Sequence, residues 1–315
     1  MFCVIAFEEV CLYTVEKRNG VIFLGKTKVI FDTDIGSDID DAVALAYLLM
    51  QERCDLLGVT TVSGEGELRA QMCSAIMKAA GKEAPIFPGV EVPMLTPVLQ
   101  PKCSQYAMMG EWAHDTKFAQ NAAVDFLRDA ILANPGEVTL LAVGPMTNIG
   151  LLFATYPEVA EKLGALVLMC GRFGNALPRM PLREWNALND PYASAIVYNA
   201  PVKVHRSVGL DVTMQVVMNA KQVAEKFTHP VLKPVLDFSK VWFERTERMT
   251  FHDPLAAVSV FEDVCGWERG DTSILLSDKE TMGMTAWKPC ENGRHEAAMT
   301  VDADRFFAHY FSMFS

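Results

Sequence analysis

The chain has no run of about 18 uncharged apolar residues, the length that a membrane-crossing helix needs, although half of its 315 residues are hydrophobic. It also has no CxxC pair. The eight cysteines (Cys3, Cys11, Cys54, Cys73, Cys103, Cys170, Cys265 and Cys290) match no zinc or disulfide spacing. Several sit in apolar runs such as Val167–Cys170 and read as small core hydrophobes in a reducing cytosol. A basic surplus is missing too: 28 Lys and Arg face 39 Asp and Glu, for a formal net charge of −11. That sign repels a phosphate backbone and argues against a nucleic-acid partner. The segment Met1–Phe7 has no basic start and runs into Glu8 and Glu9, unlike a secretory signal. A soluble cytoplasmic protein with no membrane partner is expected. With no internal repeat, low-complexity tract or linker, one domain over residues 27–315 is expected, with 1–26 as an N-terminal extension.

What is present is an alternation of β-branched runs with amphipathic stretches. Lys28–Phe31 reads as a buried strand, with a helix over Asp41–Gln51. Leu56–Val62 reads as the next strand, and Leu68, Met72, Ile76 and Ala79 share one face of a helix over Glu67–Ala80. Ala84–Phe87, Val138–Val143, Leu166–Met169 and Val202–Val208 continue the strands. Helices are expected over Asn121–Ala133, which stops at Asn134-Pro-Gly136, and over Ala220–Phe227. Others should open after Pro145, at Asp190-Pro191 and at His252-Asp253-Pro254. Gly89–Lys117 and Gly171–Asn189 read as irregular excursions. This order predicts an α/β fold, a mostly parallel, Rossmann-like central sheet flanked by helices. Its ligands belong in the loops at the carboxyl ends of the strands.

The first of those loops is Asp32-Thr-Asp34-Ile-Gly36-Ser-Asp38-Ile-Asp40-Asp41-Ala42. Five carboxylates in ten residues repel one another at a strand end unless a cation neutralises them. Oxygen donors select a hard ion, Ca²⁺ or Mg²⁺. Gly36 permits the tight turn that lets the acids converge. A helix N-cap alone needs one or two acids rather than five.

This segment resembles the DxDxGxDDA signature of the inosine–uridine-preferring nucleoside hydrolase family. Gly144-Pro-Met-Thr-Asn148 is similar to the family's GPLTN turn, and Glu184-Trp-Asn186 with Asn189-Asp-Pro191 to its EFN…DP segment. His252-Asp253-Pro254 is similar to its HDP, and Gly209–Thr213 is a weaker match. The resemblance spans nearly everything after residue 26. It implies hydrolysis of the N-glycosidic bond of ribonucleosides with a bound Ca²⁺. The implied ligands are Asp34, Asp41, Asp253 and the backbone carbonyl of Thr147, with Asp34 as general base. Glu184, Asn186, Asn175 and Asp40 would contact the sugar, and His252 is the candidate acid for the leaving base. A homodimer or homotetramer is also implied. The residue types suit the chemistry: bond breaking builds oxocarbenium-like positive charge on the ribose, which a ring of acids stabilises more than the neutral substrate.

The match departs from the family in two places. Ser37-Asp38-Ile39 separates Gly36 from Asp40, so Asp38 and Asp40 compete for one role. Glu65 stands where the family commonly has Asn, placing a charge at an expected ribose contact. Trp112 and His114 offer a base contact or a packing pair, and Phe243, Arg245 and Arg248 sit where the family places its base pocket. His205 reads as a core or edge residue, His229 as a turn, and His295 and His309 as surface or packing positions. Two further readings stay open. Asp32-Thr-Asp34 after a strand also resembles haloacid-dehalogenase-type phosphatases, where the first Asp is a nucleophile. The second is a calcium-dependent nucleoside- or sugar-binding protein without turnover.

Overall fold

The computed structural model describes residues 15–18, 21–174, 177 and 180–315. Nine strands form one sheet, in the order Thr285–Pro289, Cys265–Ile274, His295–Val301, His205–Ser207, Ala165–Leu168, Val138–Ala142, Thr27–Thr33, Cys54–Thr61, Ile86–Pro88. From His295–Val301 to Ile86–Pro88 every pairing is parallel. The fold is thus the expected α/β architecture. Its parallel strands read as nearly unbroken apolar runs because helices cover both faces. Val29, Ile30, Phe31, Leu140, Leu141 and Val167 are all buried.

The helix Asp40–Met50 illustrates the same rule. Every residue from Asp40 to Leu49 is buried, so the helix is apolar around its circumference and lies inside the protein. Asp190 caps the helix Pro191–Asn199 by accepting from the Ala193 N–H at 3.0 Å, the N-cap and first-position proline that the dipeptide predicts. The helix Ala123–Ala133 stops as expected before Gly136, which adopts φ 79°.

The expected strand over Val202–Val208 is shorter, His205–Ser207. Beyond it lies an edge that alternation did not indicate. Cys265–Ile274 pairs antiparallel with both His295–Val301 and Thr285–Pro289. Its exposed residues alternate with buried Gly270, Thr272 and Ile274, the pattern of a strand with one wet face. Residues 15–18 and 21–24 pair as a separate antiparallel hairpin. No helix is long and apolar enough to cross a membrane, among the described residues.

Strand order places the site. The chain leaves Thr27–Thr33 toward Cys54–Thr61 on one side and later returns to Val138–Ala142 on the other. The crevice outside the carboxyl end of Thr27–Thr33 is therefore the switch point where such sheets bind ligands, and Asp34 emerges there.

Candidate active site

A cavity of about 470 Å³ opens at that crevice. Asp34, Asp38, Asp40, Asp41 and Asp253 line it, together with Glu184, Asn186 and His252. Gly36, at φ 108°, makes the turn between Asp34 and Asp40, and a Cβ there would lie 2.3 Å from Cys103 Sγ. Only glycine fits both the angle and the approach. The turn delivers Asp40 and Asp41 to the first positions of their helix, while Asp253 comes from the first turn of the helix His252–Ser259.

The carboxylates of Asp40, Asp41 and Asp253 each offer an oxygen within 4.8 Å of the others. Two sequence segments 213 residues apart thus meet, and the Asp253 N–H donates to Asp40 Oδ2 at 3.2 Å. Asp40 and Asp41 open the helix, followed by buried Ala42, Leu45, Ala46 and Leu49. Asp38 lines the cavity as well, its Oδ1 accepting from Ile39 N at 2.6 Å, so the two candidates do not exclude each other. Asp41 is held by the Thr33 hydroxyl at 2.5 Å and the Asp34 N–H at 3.1 Å.

Burial raises the carboxyl pKa of all five, Asp38 to about 8, and repulsion among neighbours adds to it for Asp38, Asp40, Asp41 and Asp253. The buried Arg69 lowers Asp34 and Asp41 in part. Its guanidinium donates to the carbonyls of Asp34, Ile35 and Gly64, so it braces the acid loop through the backbone. Clustered, repelling, oxygen-only groups opening on a cavity fit a hard divalent cation.

Glu184 and Asn186 reach the same cavity. Glu184 accepts from the N–H groups of Asn186 (2.7 Å), Ala187 (2.9 Å) and Gly171 (3.2 Å), capping the helix Trp185–Asn189. Burial raises its pKa against the pull of those donors. Asn186 Nδ2 donates to the carbonyls of Val143 (2.6 Å) and Met169 (3.0 Å). Both amide hydrogens are thereby occupied, which turns its Oδ1 into the group left for a ligand.

Other sequence-derived residues fall elsewhere. Asp32, the nucleophile of the phosphatase reading, does not line the cavity. It accepts from Thr60 Oγ1 (2.5 Å) and Asn148 Nδ2 (2.7 Å), and burial pushes its pKa to about 7. That reading loses its nucleophile. Glu65 does not line the cavity: it pairs with Lys102 Nζ at 2.6 Å and accepts from Cys103 N at 2.8 Å. Its charge ties down the loop that carries Lys102 and Cys103.

Thr147 is buried, its hydroxyl donating to Asp190 Oδ2 at 2.8 Å. His252 reaches the cavity with Nδ1 2.7 Å from Thr213 Oγ1. Burial lowers its pKa to about 4, and a nearby cation would lower it further. Burial therefore favours the neutral imidazole. Asn175 lies outside the described residues. Trp112 donates to Asp237 and His114 meets the Trp112 carbonyl, so this pair is packing. Arg245 lines the cavity mouth beside Trp242; Phe243 and Arg248 do not line it. Gln100 and Arg69 were not indicated by the sequence, since one polar residue in a loop and one on a helix carry no pattern.

The fold and the cavity at its switch point define an α/β protein with an anionic, polar ligand site. The model of the inosine-uridine preferring nucleoside hydrolase family matches residues 29–308. The chain belongs to the nucleoside hydrolase family. It is 31% identical over 304 residues to the inosine-uridine preferring nucleoside hydrolase of Leishmania major, covering 89% of this chain and 95% of that one. A pyrimidine-specific ribonucleoside hydrolase of Escherichia coli is 30% identical over 209 residues, 63% of this chain and 64% of the relative. Among solved structures, a purine-preferring ribonucleoside hydrolase from Gardnerella vaginalis superposes with TM-score 0.77 at 23% identity, covering 91% of this chain and 98% of the other. That last likeness supports the fold.

Proposed function

We propose that the protein hydrolyses the N-glycosidic bond of ribonucleosides in a calcium-dependent reaction, releasing ribose and the free base. The observation that carries the reading is the convergence of Asp40, Asp41 and Asp253 in a cavity also lined by Asp34, Glu184 and Asn186. Asp41 and Asp253, with Asp34 or Asp40 beside them and the Thr147 carbonyl, would hold the ion. A bound Ca²⁺ supplies an electrophile that makes a water more acidic and fixes sugar hydroxyls.

The chain's own residues do the rest. Asp34, at the strand end, accepts the proton of the attacking water. Asn186 Oδ1 and the remaining acceptor positions of Glu184 hold the sugar hydroxyls, with Asp38 or Asp40 as a further contact. Anionic groups around the ring stabilise the positive charge that develops as the bond to the base lengthens. His252 meets the leaving base as a hydrogen-bond donor through the ring nitrogen opposite Thr213. Trp242, Trp185 and Leu99 offer apolar surface at the cavity mouth for a heteroaromatic base.

The test is a panel of purine and pyrimidine ribonucleosides, assayed for reducing sugar after exhaustive chelation and again with Ca²⁺ restored. Sugar release that returns with Ca²⁺ is expected. Nucleoside binding without sugar release would put the non-catalytic reading first, and full activity in chelator would remove the cation.

A further inference from the structure

We propose that Gln100 is a positioning residue for this reaction, clamping the Asp34 carboxylate through a relay that begins at Trp185; the inference rests on the hydrolase reading above. Gln100 Nε2 lies 2.5 Å from Asp34 Oδ2, and Gln100 Oε1 lies 2.6 Å from Trp185 Nε1. An indole N–H can only donate, so the amide oxygen must face Trp185 and the NH₂ must face Asp34. The orientation of the amide is set by chemistry rather than assigned. The bond to Asp34 is then charge-assisted and adds no charge of its own to a crowded anionic floor.

Gln100 is brought there by a segment fastened on both sides of the acid loop. The Gly64 Cα leaves room for Pro101, whose carbonyl oxygen would lie 2.5 Å from any Cβ at that position. The Lys102 carbonyl accepts from Arg69 Nη2 at 3.2 Å and from Ser37 Oγ at 3.4 Å, and Gln105 N donates to the Gly36 carbonyl at 3.0 Å. Gln100 itself is buried at 9% exposure. On the far side of Asp34, a Cβ on Gly144 would lie 3.1 Å from Oδ1. One carboxylate oxygen is therefore occupied by Gln100, while the glycine leaves the other uncrowded by a side chain. This holds Asp34 in one rotamer. Trp185 occupies the position where the family segment EFN has Phe, and Phe has no N–H to give. In this chain the relay needs both Gln100 and Trp185.

The test uses the full chain at saturating Ca²⁺, with Gln100→Ala, Trp185→Phe and the double variant. Loss of a group that orients a ligand or base costs about 10–100-fold. Gln100→Ala is expected to lower kcat by that factor with KM changed less than threefold, and to weaken Ca²⁺ binding in calorimetry about 10-fold. Trp185→Phe should move both in the same direction by about 2–10-fold, the worth of one hydrogen bond. The double variant should be no worse than Gln100→Ala alone, since both act through one relay. A kcat within twofold of the parent, additive losses, or a fall in melting temperature with a raised KM and unchanged kcat would overturn the proposal. If the parent cleaves no ribonucleoside, the hydrolase reading fails, and the Ca²⁺ titration alone still decides whether Gln100 positions Asp34.

Discussion

Two buried titratable clusters in this protein invite comparison: the aspartates at the switch point and the histidine pair on the neighbouring half of the sheet. His205 and His295 lie on adjacent parallel strands with ring centroids 4.7 Å apart, against Tyr198. His295 accepts from Thr272 N (3.0 Å) and its Nε2 meets the Tyr198 carbonyl (2.8 Å), whereas neither ring nitrogen of His205 has a hydrogen-bond partner among the described residues. Burial disfavours the charged form of both groups, lowering the histidines as it raises the acids. The difference is access. The acids face a cavity where a cation can reverse their titration, while none of the three residues of the histidine cluster lines it. Burial alone thus marks strain, and burial beside a cavity marks a site.

The largest effect expected from breaking the acid side is that of Asp34→Ala, a loss of about 10²–10⁴-fold in kcat, the contribution of a general base. The substitution removes one repelling carboxylate but strands the buried Gln100 amide, so the melting temperature of the metal-free protein should change little; a large drop would make Asp34 structural. Next, Ca²⁺ at 100 times its Kd should stabilise the fold by about 2.7 kcal/mol, read as a thermal shift that chelation reverses. Asn186→Ala should weaken substrate binding and also cost about 1–3 kcal/mol, because it strands the buried Val143 and Met169 carbonyls.

The histidine side should answer only to pH. His205 has a folded pKa well below 6.5, so the unfolded chain takes up its proton first as pH falls. Its contribution to stability is therefore intact above about pH 6.5 and shrinks steadily below it. The raised acids act in the opposite sense, so the informative quantity is the difference between parent and His205→Leu. That difference should favour the variant increasingly from pH 7 to pH 5, with kcat unchanged. A pH-independent difference would show that His205 is not the titrating group. The smallest effect belongs to Glu65→Gln, at most about 1 kcal/mol in urea unfolding, because the Lys102 partner is exposed.

Much of this is legible in the sequence. The parallel half of the sheet announces itself because fully buried strands and the helix after them need long apolar runs, as in Lys28–Phe31 and Ala42–Leu49. The acid loop is legible because its members are neighbours in sequence and too many for a helix cap. The antiparallel edge was not: Cys265–Ile274 mixes glycines and charges with its buried positions, and a strand with one wet face resembles a loop. Trp112 and His114, chemically suggestive, turn out to pack on each other and on Asp237.

Composition and local order therefore decided the kind of protein this is, since apolar periodicity sets the layers and a run of acids requires a counter-ion. Tertiary structure decided which acids share a site. Asp32 and Asp34 are two residues apart, yet the strand sends one to Thr60 and Asn148 and releases the other into the cavity. Asp253 and Gln100 join from distant segments because strand order folds those loops over the same carboxyl ends. Pairings across such distances come from sheet order and packing, which no local pattern encodes.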